Sequence, residues 1–368
     1  MRILMLCDWL PPDFGAVGQY AVEFAEQLAV AGHQVTLVGL STSRTSQSVG
    51  ASDAGSLMIK RIFRPTYDKQ SLGGRAWWTL VTNLKLLWCA RSELSTSDEI
   101  RFTGSPPFML HFVMPVSALF RRRTRYRITD FHPECLMAEF DRVPISLRLL
   151  HRWTLFWRRR VSTIEVLGED QRRICIAQGI NARRIELVRD PSPIRFSGRE
   201  AQAEPPKILA GRKIVLYSGN WGVAHDVETF VAAASAFETR HPGRLGVWLN
   251  ATGSRAAVAH EALIMAGVAC SYTRPVPLSE LAGVLLAADL HLICLRDRFV
   301  GYVLPSKVYA CIESGRPILF IGSERSDVHA LCATAAAAWK IAYRRVDVGV
   351  ATDVVGALED LLLHGRRH

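Results

Sequence analysis

The feature that most constrains this chain is a break near residue 190, flanked on both sides by the same kind of pattern. Residues 190–213, DPSPIRFSGREAQAEPPKILAGRK, hold four prolines and two glycines in twenty-four residues with no apolar period, which marks a linker. Short apolar strands alternate with glycine-containing loops and amphipathic helices before it and again after it. Such alternation builds open, mostly parallel sheets, whose ligands sit at the carboxyl ends of the strands. A chain of 368 residues, 49% apolar, is longer than one core normally organises. The expected architecture is therefore α/β, with two Rossmann-like doubly wound domains facing across a cleft. Their expected bounds are 1–195 and 212–345, with 196–211 as linker. Residues 346–368 carry a last helix that could lie across either domain.

In the first half, Arg2 to Cys7 reads as a strand and Asp8 to Gly18 as a loop with two prolines and two glycines. A helix with Ala21, Phe24, Ala25 and Leu28 on its apolar face follows, then a Gly32 stop and the strand Val35 to Val38. Gly15 and Gly18 do not have the dinucleotide fingerprint, and no acidic residue ends the second strand, which argues against a nicotinamide enzyme. Ser41 to Ser56 reads as a loop. Gly73 to Arg91 reads as a helix whose stripe of Trp77, Leu80, Leu84, Leu87 and Trp88 is assigned to the core. Strands ending near Ser105 and Thr129 deliver Asp130-Phe131-His132-Pro133-Glu134 to the ligand edge, and Ser162 to Leu167 adds another strand.

In the second half, Lys213 to Tyr217 runs into Ser218-Gly219-Asn220-Trp221-Gly222, with Asp226 placed to cap the next helix. Further strands end at Asn250 to Arg255 and at Thr273-Arg274. The densest signal is VLPSKVYACIESGRPILFIG, residues 303–322. A strand at Asp289 to Leu295 leads into a polar loop, and Pro305 and Ser306 open a helix as first-turn proline and capping hydroxyl. Gly315 ends that helix before the strand Ile318 to Ile321. A lysine gains nothing from the helix dipole at this end, so Lys307 points to an anion bound there, against the plainer reading of a solvated surface lysine.

Composition narrows the setting. The eight cysteines are scattered with no Cys-x-x-Cys pair, as expected of reduced packing residues rather than disulfides or zinc ligands. Met1 to Cys7 is too short and too soon charged for a signal peptide, and the apolar runs at 76–90 and 109–120 are interrupted by polar residues or proline. A cytoplasmic protein is expected. Charge is uneven: residues 1–200 hold 28 Lys and Arg against 19 Asp and Glu, and the remainder is close to balance. The basic clusters are Arg121, Arg122, Arg123, Arg125 and Arg127, then Arg148, Arg152, Arg158, Arg159 and Arg160. In the second cluster arginines interleave with tryptophans and leucines, which suits an anionic membrane surface, although a solvated basic face fits as well. No nucleic-acid-binding motif is present, and nucleic acid is not expected as a partner.

Three segments together, DWLPPDFGAVGQYAVEFAEQLAVAGHQVTLV, YSGNWGVAHDVETF and VGYVLPSKVYACIESGRPILFIG, resemble nucleotide-sugar glycosyltransferases of the GT-B fold, close to glycosyltransferase family 4 and to bacterial surface-polysaccharide types. The resemblance runs over essentially the whole chain. It implies a nucleoside diphosphate sugar held mainly by the second domain and an acceptor, a lipid-linked saccharide, held by the first. It places Gly15 and Gly18 near the donor phosphates, with Gly219, Asn220, Gly222 and His225 on the facing loop. Leu304, Pro305, Ser306 and Lys307 fall at the diphosphate, and Gly253, Ser254, Arg255, Thr273 and Arg274 border the base. The sequence departs from the family where glutamates are common, at Tyr302 and Ala310. It also has His225 at or beside the place of a lysine, and Thr129 where a histidine is usual.

The implied chemistry is glycosyl transfer with retention, the departing diphosphate being stabilised by backbone amides and Lys307. No Asp-x-Asp pair occurs, and neither a metal nor another cofactor is expected. Asp130 and His132 are candidates for orienting the acceptor; either could equally serve the turn before Pro133 or the packing. The competing readings are a GT-B epimerase or phosphorylase on a soluble substrate, and a non-catalytic basic protein bound to membranes. The expected location is the cytoplasmic face of the cell membrane, as a peripheral protein.

Overall fold

The computed structural model describes residues 1–13, 16–43, 46–51, 54–65 and 72–364. The chain divides into two compact units, Met1–Asp190 and Pro191–His368, so the division falls at the first proline of the sequence break.

Unit 1 runs β1 (Arg2–Trp9), α1 (Ala16–Val30), β2 (Gln34–Ser41), β3 (Ser46–Ala51), β4 (Ser56–Phe63), α2 (Leu72–Cys89), α3 (Arg91–Thr96), β5 (Glu99–Thr103), α4 (Leu110–Leu119), β6 (Arg123–Ile128), α5 (Glu134–Met137), α6 (Ile145–Arg158), β7 (Thr163–Val166), α7 (Glu169–Ala177) and β8 (Ile185–Leu187). Its sheet has the order β3-β4-β2-β1-β5-β6-β7-β8 and is parallel except for the antiparallel pair β3 and β4. The expected loop at Ser41 to Ser56 therefore contains a strand. Its polar residues hid it because an edge strand has little to bury.

α1 packs Ala21, Ala25 and Ala29 on Ile3, Met5, Cys7, Val35 and Leu37. Right-handed crossovers put the helices that follow α1 on the opposite face. There the alternate residues Ile100, Phe102, Tyr126, Ile128, Ile164 and Val166 are buried, each contributing on the order of 1.5–3 kcal/mol for an aliphatic or aromatic side chain. On the α1 face those same strands carry Glu99, Arg101, Arg125, Arg127 and Glu165, a ladder of ion pairs. Arg125 bonds Glu165 at 3.1 Å, and Arg127 bonds Glu165 at 3.0 Å and Asp190 at 2.6 Å. Two of the arginines read from the sequence as free basic charge are thus neutralised within the sheet. Arg158 is corrected more strongly. It is fully buried, its guanidinium lies 4.9 Å from the centre of the Phe131 ring, and it holds the Glu134 carboxylate.

The tryptophan stripe of α2 is a second correction. The face turned inward is Trp78, Thr82, Leu86 and Ala90, whereas Trp77, Leu84 and Trp88 are exposed. The helix is apolar almost all round, so periodicity found a stripe but picked the wrong side.

Unit 2 runs β9 (Lys213–Asn220), α8 (Glu228–Arg240), β10 (Leu245–Thr252), α9 (Ala256–Met265), β11 (Ala269–Thr273), α10 (Leu278–Leu286), β12 (Leu290–Cys294), α11 (Lys307–Glu313), β13 (Ile318–Ile321), α12 (Asp327–Trp339), β14 (Tyr343–Val346) and α13 (Ala351–Leu362). The sheet is wholly parallel, in the order β11-β10-β9-β12-β13-β14. Val215, Val247, Leu249 and Leu292 meet Phe230 and Phe237 from α8, and Val354, Leu358 and Leu361 from α13. The last helix is therefore part of the core of unit 2. The eight cysteines are all in the thiol form, six of them buried, and among the described residues no helix is long and apolar enough to cross a membrane.

Candidate functional site

The site is built at the carboxyl edge of the unit 2 sheet. The last-but-one residue of β9 is Gly219, whose φ of +119° is open to glycine and strained for any other residue. The loop after it is held from three sides. Trp221 donates its N–H to the Thr252 carbonyl at 2.6 Å, Arg255 donates to the Trp221 carbonyl at 3.0 Å, and Arg296 donates to the Ala224 carbonyl at 2.9 Å. Gly253, at φ +106°, lies so close that a Cβ there would stand 2.3 Å from Asn220 Oδ1 and 2.5 Å from the Trp221 carbonyl oxygen. Asp226 accepts the Thr229 N–H at 3.0 Å at the start of α8, as its position in the sequence suggested.

Lys307 enters this edge from the first position of α11. Its Nζ lies 3.1 Å from the centre of the Tyr217 ring, and its Cε is the nearest atom to the side of Gly219 where a Cβ would be, at 3.6 Å. Nζ is sealed from solvent and, among the described residues, meets no hydrogen-bond acceptor. Burial pulls its pKa down to about 7. An ammonium in that position is short of the negative charge that would complete it. Beside it, His225 donates its Nδ1–H to the Cys294 carbonyl at 2.6 Å, which leaves Nε2 as an acceptor in the neutral ring. Burial, then the neighbouring Lys307, holds the His225 pKa down at about 3, so the ring is neutral.

The sequence-predicted residues divide. Gly219, Asn220, Gly222, His225, Gly253 and Lys307 come together on the clasped loops, and Leu304, Pro305 and Ser306 lead into α11. Two details of that helix differ from expectation: it begins at Lys307, leaving Pro305 outside it, and Ser306 makes no side-chain cap. Ser254 and Arg274 are exposed at the rim. The Thr273 hydroxyl is turned to structural use, accepting from Trp248 Nε1 at 3.0 Å and Asn250 Nδ2 at 3.1 Å. Arg255 pairs with Glu228, which also binds Arg296 at 3.0 Å. Partial burial opposes ionisation of Glu228, but its hydrogen bonds outweigh it and hold the pKa at about 2. Arg296, buried Asn250 and Tyr217 were missed. The signal for Tyr217 was its place two residues before Gly219 on the same strand face.

In unit 1, Gly15 lies outside the described residues. Gly18 falls inside α1, where a Cβ would stand 1.7 Å from the Trp9 carbonyl oxygen, so its lack of a side chain serves helix-on-strand contact. Asp130 and His132 follow β6. Burial raises the Asp130 carboxyl and lowers the His132 imidazole, with their mutual attraction opposing both shifts. His132 Nδ1 is sealed without a hydrogen-bond partner among the described residues, and its carbonyl accepts from Arg158 at 3.2 Å. Asp8, at the end of β1, was not anticipated. Its carboxyl binds the Ser105 hydroxyl, Oδ1 is sealed and has no hydrogen-bond partner among the described residues, and burial raises its pKa to about 6. A cavity beside α1, lined by Tyr20, Phe24, Arg101, Arg125, Arg127 and Asp190 among others, contains none of the candidate residues.

No protein-family model matches the sequence, and no curated protein matches it. Solved structures do. A trehalose-6-phosphate structure from E. coli bound with UDP-2-fluoro glucose aligns over 99% of this chain and 92% of that chain, with a TM-score of 0.62 and 11% identity. Sucrose-phosphate synthase from Thermosynechococcus elongatus aligns over 98% and 90%, at 0.63 and 11%. Anabaena HepE in complex with UDP and glucose aligns over 99% and 90%, at 0.62 and 12%. The fold is GT-B. The mixed eight-stranded sheet and the parallel six-stranded sheet are its two Rossmann-like domains.

Proposed function

We propose that this GT-B protein transfers a sugar, hexosyl or N-acetylhexosaminyl, from a nucleoside diphosphate donor to an acceptor. The observation that carries this reading is the sealed, unpartnered Nζ of Lys307 beside the Gly219 loop. The ligands bound in two structures with the same fold, UDP-2-fluoro glucose in one and UDP with glucose in the other, support it. The donor diphosphate supplies the missing negative charge, and the Gly219 and Gly222 backbone admits it closely. In the reaction the bond from the anomeric carbon to the diphosphate breaks with its electron pair going to phosphate, where the ammonium of Lys307 receives the charge. The acceptor oxygen bonds the same carbon from the same face, with retention, and its proton passes to the departing phosphate oxygen. Arg255 and Arg296, tied by Glu228, border the base. Asp130 and His132 orient the acceptor, which we assign to a lipid-linked saccharide of surface-polysaccharide synthesis, the protein working peripherally at the membrane.

The test is release of nucleoside diphosphate from a panel of UDP, GDP and ADP sugars. Wild-type protein should release one of them, and Lys307→Met should lower turnover by about 100-fold or more, as removal of a preorganised charge does. Turnover should persist in EDTA, since Lys307 neutralises the diphosphate without a divalent ion. Equal turnover in wild type and Lys307→Met would refute the assignment, and loss in EDTA restored by magnesium would refute the metal-free form of it.

A further inference from the structure

Three neighbouring helices of unit 1, α2, α4 and α6, turn apolar side chains outward, and we propose that this face docks on an anionic lipid bilayer. On α2, Trp77 and Trp88 are 67% and 71% exposed, with exposed Leu84 on the same stripe at spacings of seven and four. On α6, Ile145, Leu149 and Trp153 recur every four residues at 74%, 61% and 50% exposure. α4 lies between the two helices and ends at exposed Leu119. Scattered exposed apolar residues are ordinary on any protein; stripes of this size on adjacent helices are not.

The charge around the stripes selects the occupant. Residues 72–92, 100–129 and 142–164 contain no Asp or Glu. Arg148 and Arg152 are exposed three residues beyond Ile145 and Leu149, beside the stripe. At the helix ends, the Arg160 guanidinium lies 3.5 Å from the centre of the Phe156 ring and that of Arg91 lies 4.8 Å from the centre of the Trp88 ring. Tryptophan rings and aliphatic stems that enter the headgroup layer, with guanidinium groups left at lipid phosphates, are what an interfacial face requires. A second copy of the chain fits poorly. An isologous pairing would set these arginines against their own copies with no carboxylate between them. Nucleic acid would leave the apolar stripe uncovered. Buried Arg158 has no part in this face, which keeps Arg148, Arg152 and Arg160 of the arginine run read in the sequence.

The inference rests on the proposed membrane-held acceptor only for its purpose, and it is tested with no sugar nucleotide present so that the two fail separately. The purified full chain is sedimented with phosphatidylcholine vesicles with and without phosphatidylglycerol. Wild type should pellet with the anionic vesicles at low salt and be largely released at high salt. Trp77→Glu combined with Trp88→Glu, and separately Leu149→Glu, should weaken partitioning on the order of tenfold or more while leaving circular dichroism unchanged, because these side chains contact solvent. Arg148→Gln with Arg152→Gln should weaken binding to anionic vesicles specifically. Met265→Glu, at an exposed position of unit 2, should bind as wild type does. Wild type remaining in the supernatant, or the tryptophan variant binding undiminished, would overturn the proposal. So would a dimer, seen by light scattering, that these variants dissociate without any vesicle binding, which would make a second copy the occupant.

Discussion

Glycines of the same sequence signature do opposite work in the two units. In unit 1, Gly18 is pressed against the Trp9 carbonyl, and its missing side chain is used up in seating α1 on β1. In unit 2, Gly219 and Gly253 bring loop backbones together at the sheet edge, and the atom nearest the open side of Gly219 is the stem of an unpartnered lysine. Charge divides the same way. The interior arginines of unit 1 are compensated, Arg158 by Glu134 and Arg127 by Asp190 and Glu165, whereas Lys307 is not. A strand, a glycine and a helix are therefore no sign of a ligand by themselves. What separates a packing glycine from a binding glycine is the atom that stands where its Cβ would be.

The largest expected effect tests the compensated side. Arg158→Gln leaves Glu134 buried without its cation and should cost about 3–5 kcal/mol in urea unfolding of the full chain, whereas exposed Arg160→Gln should stay within about 0.5 kcal/mol. Equal small losses would mean that the buried pair contributes nothing and the contrast with Lys307 is empty. Next come the glycines. Gly253→Ala forces a Cβ into backbone at positive φ and should cost about 1–3 kcal/mol and weaken UDP binding. Gly222→Ala, whose nearest neighbour is Asn220 Nδ2 at 3.5 Å, should cost under about 1 kcal/mol. Reversal of that order would detach the clasped loops from the site.

Much of this architecture was legible in the sequence because it follows from burial and backbone geometry. Five of the six strands of unit 2, all but β14, and the stops at Gly32 and Gly315, both at positive φ, each have a local cause. The failures also have causes. β3 is an edge strand with polar residues on it. α2 is apolar on both faces, so its stripe pointed outward instead of in. Arg158 stood in a run of arginines, and only the fold brings Glu134 to it from twenty-four residues away. Lys307 is singled out in the sequence by its oddity at a helix start. Its pairing with the Tyr217 ring and its lack of an acceptor are not, since those depend on where β9 and α11 meet.

If the Lys307 ammonium takes its missing negative charge from a diphosphate, the pH dependence of UDP affinity shows it directly. In the free protein its pKa is about 7, so above that pH the amine is largely neutral and must take up a proton to bind the anion. The bound pKa is raised, and affinity is therefore full below the free value and falls as pH rises above it, by up to about tenfold per unit until the bound pKa is reached. Calorimetry across about pH 6 to 9 should show that fall for wild type. Lys307→Arg should give a flatter curve, because arginine keeps its charge, and Lys307→Met should bind weakly at every pH. Affinity of wild type that does not change over this range, or equal affinity in Lys307→Met, would contradict the account.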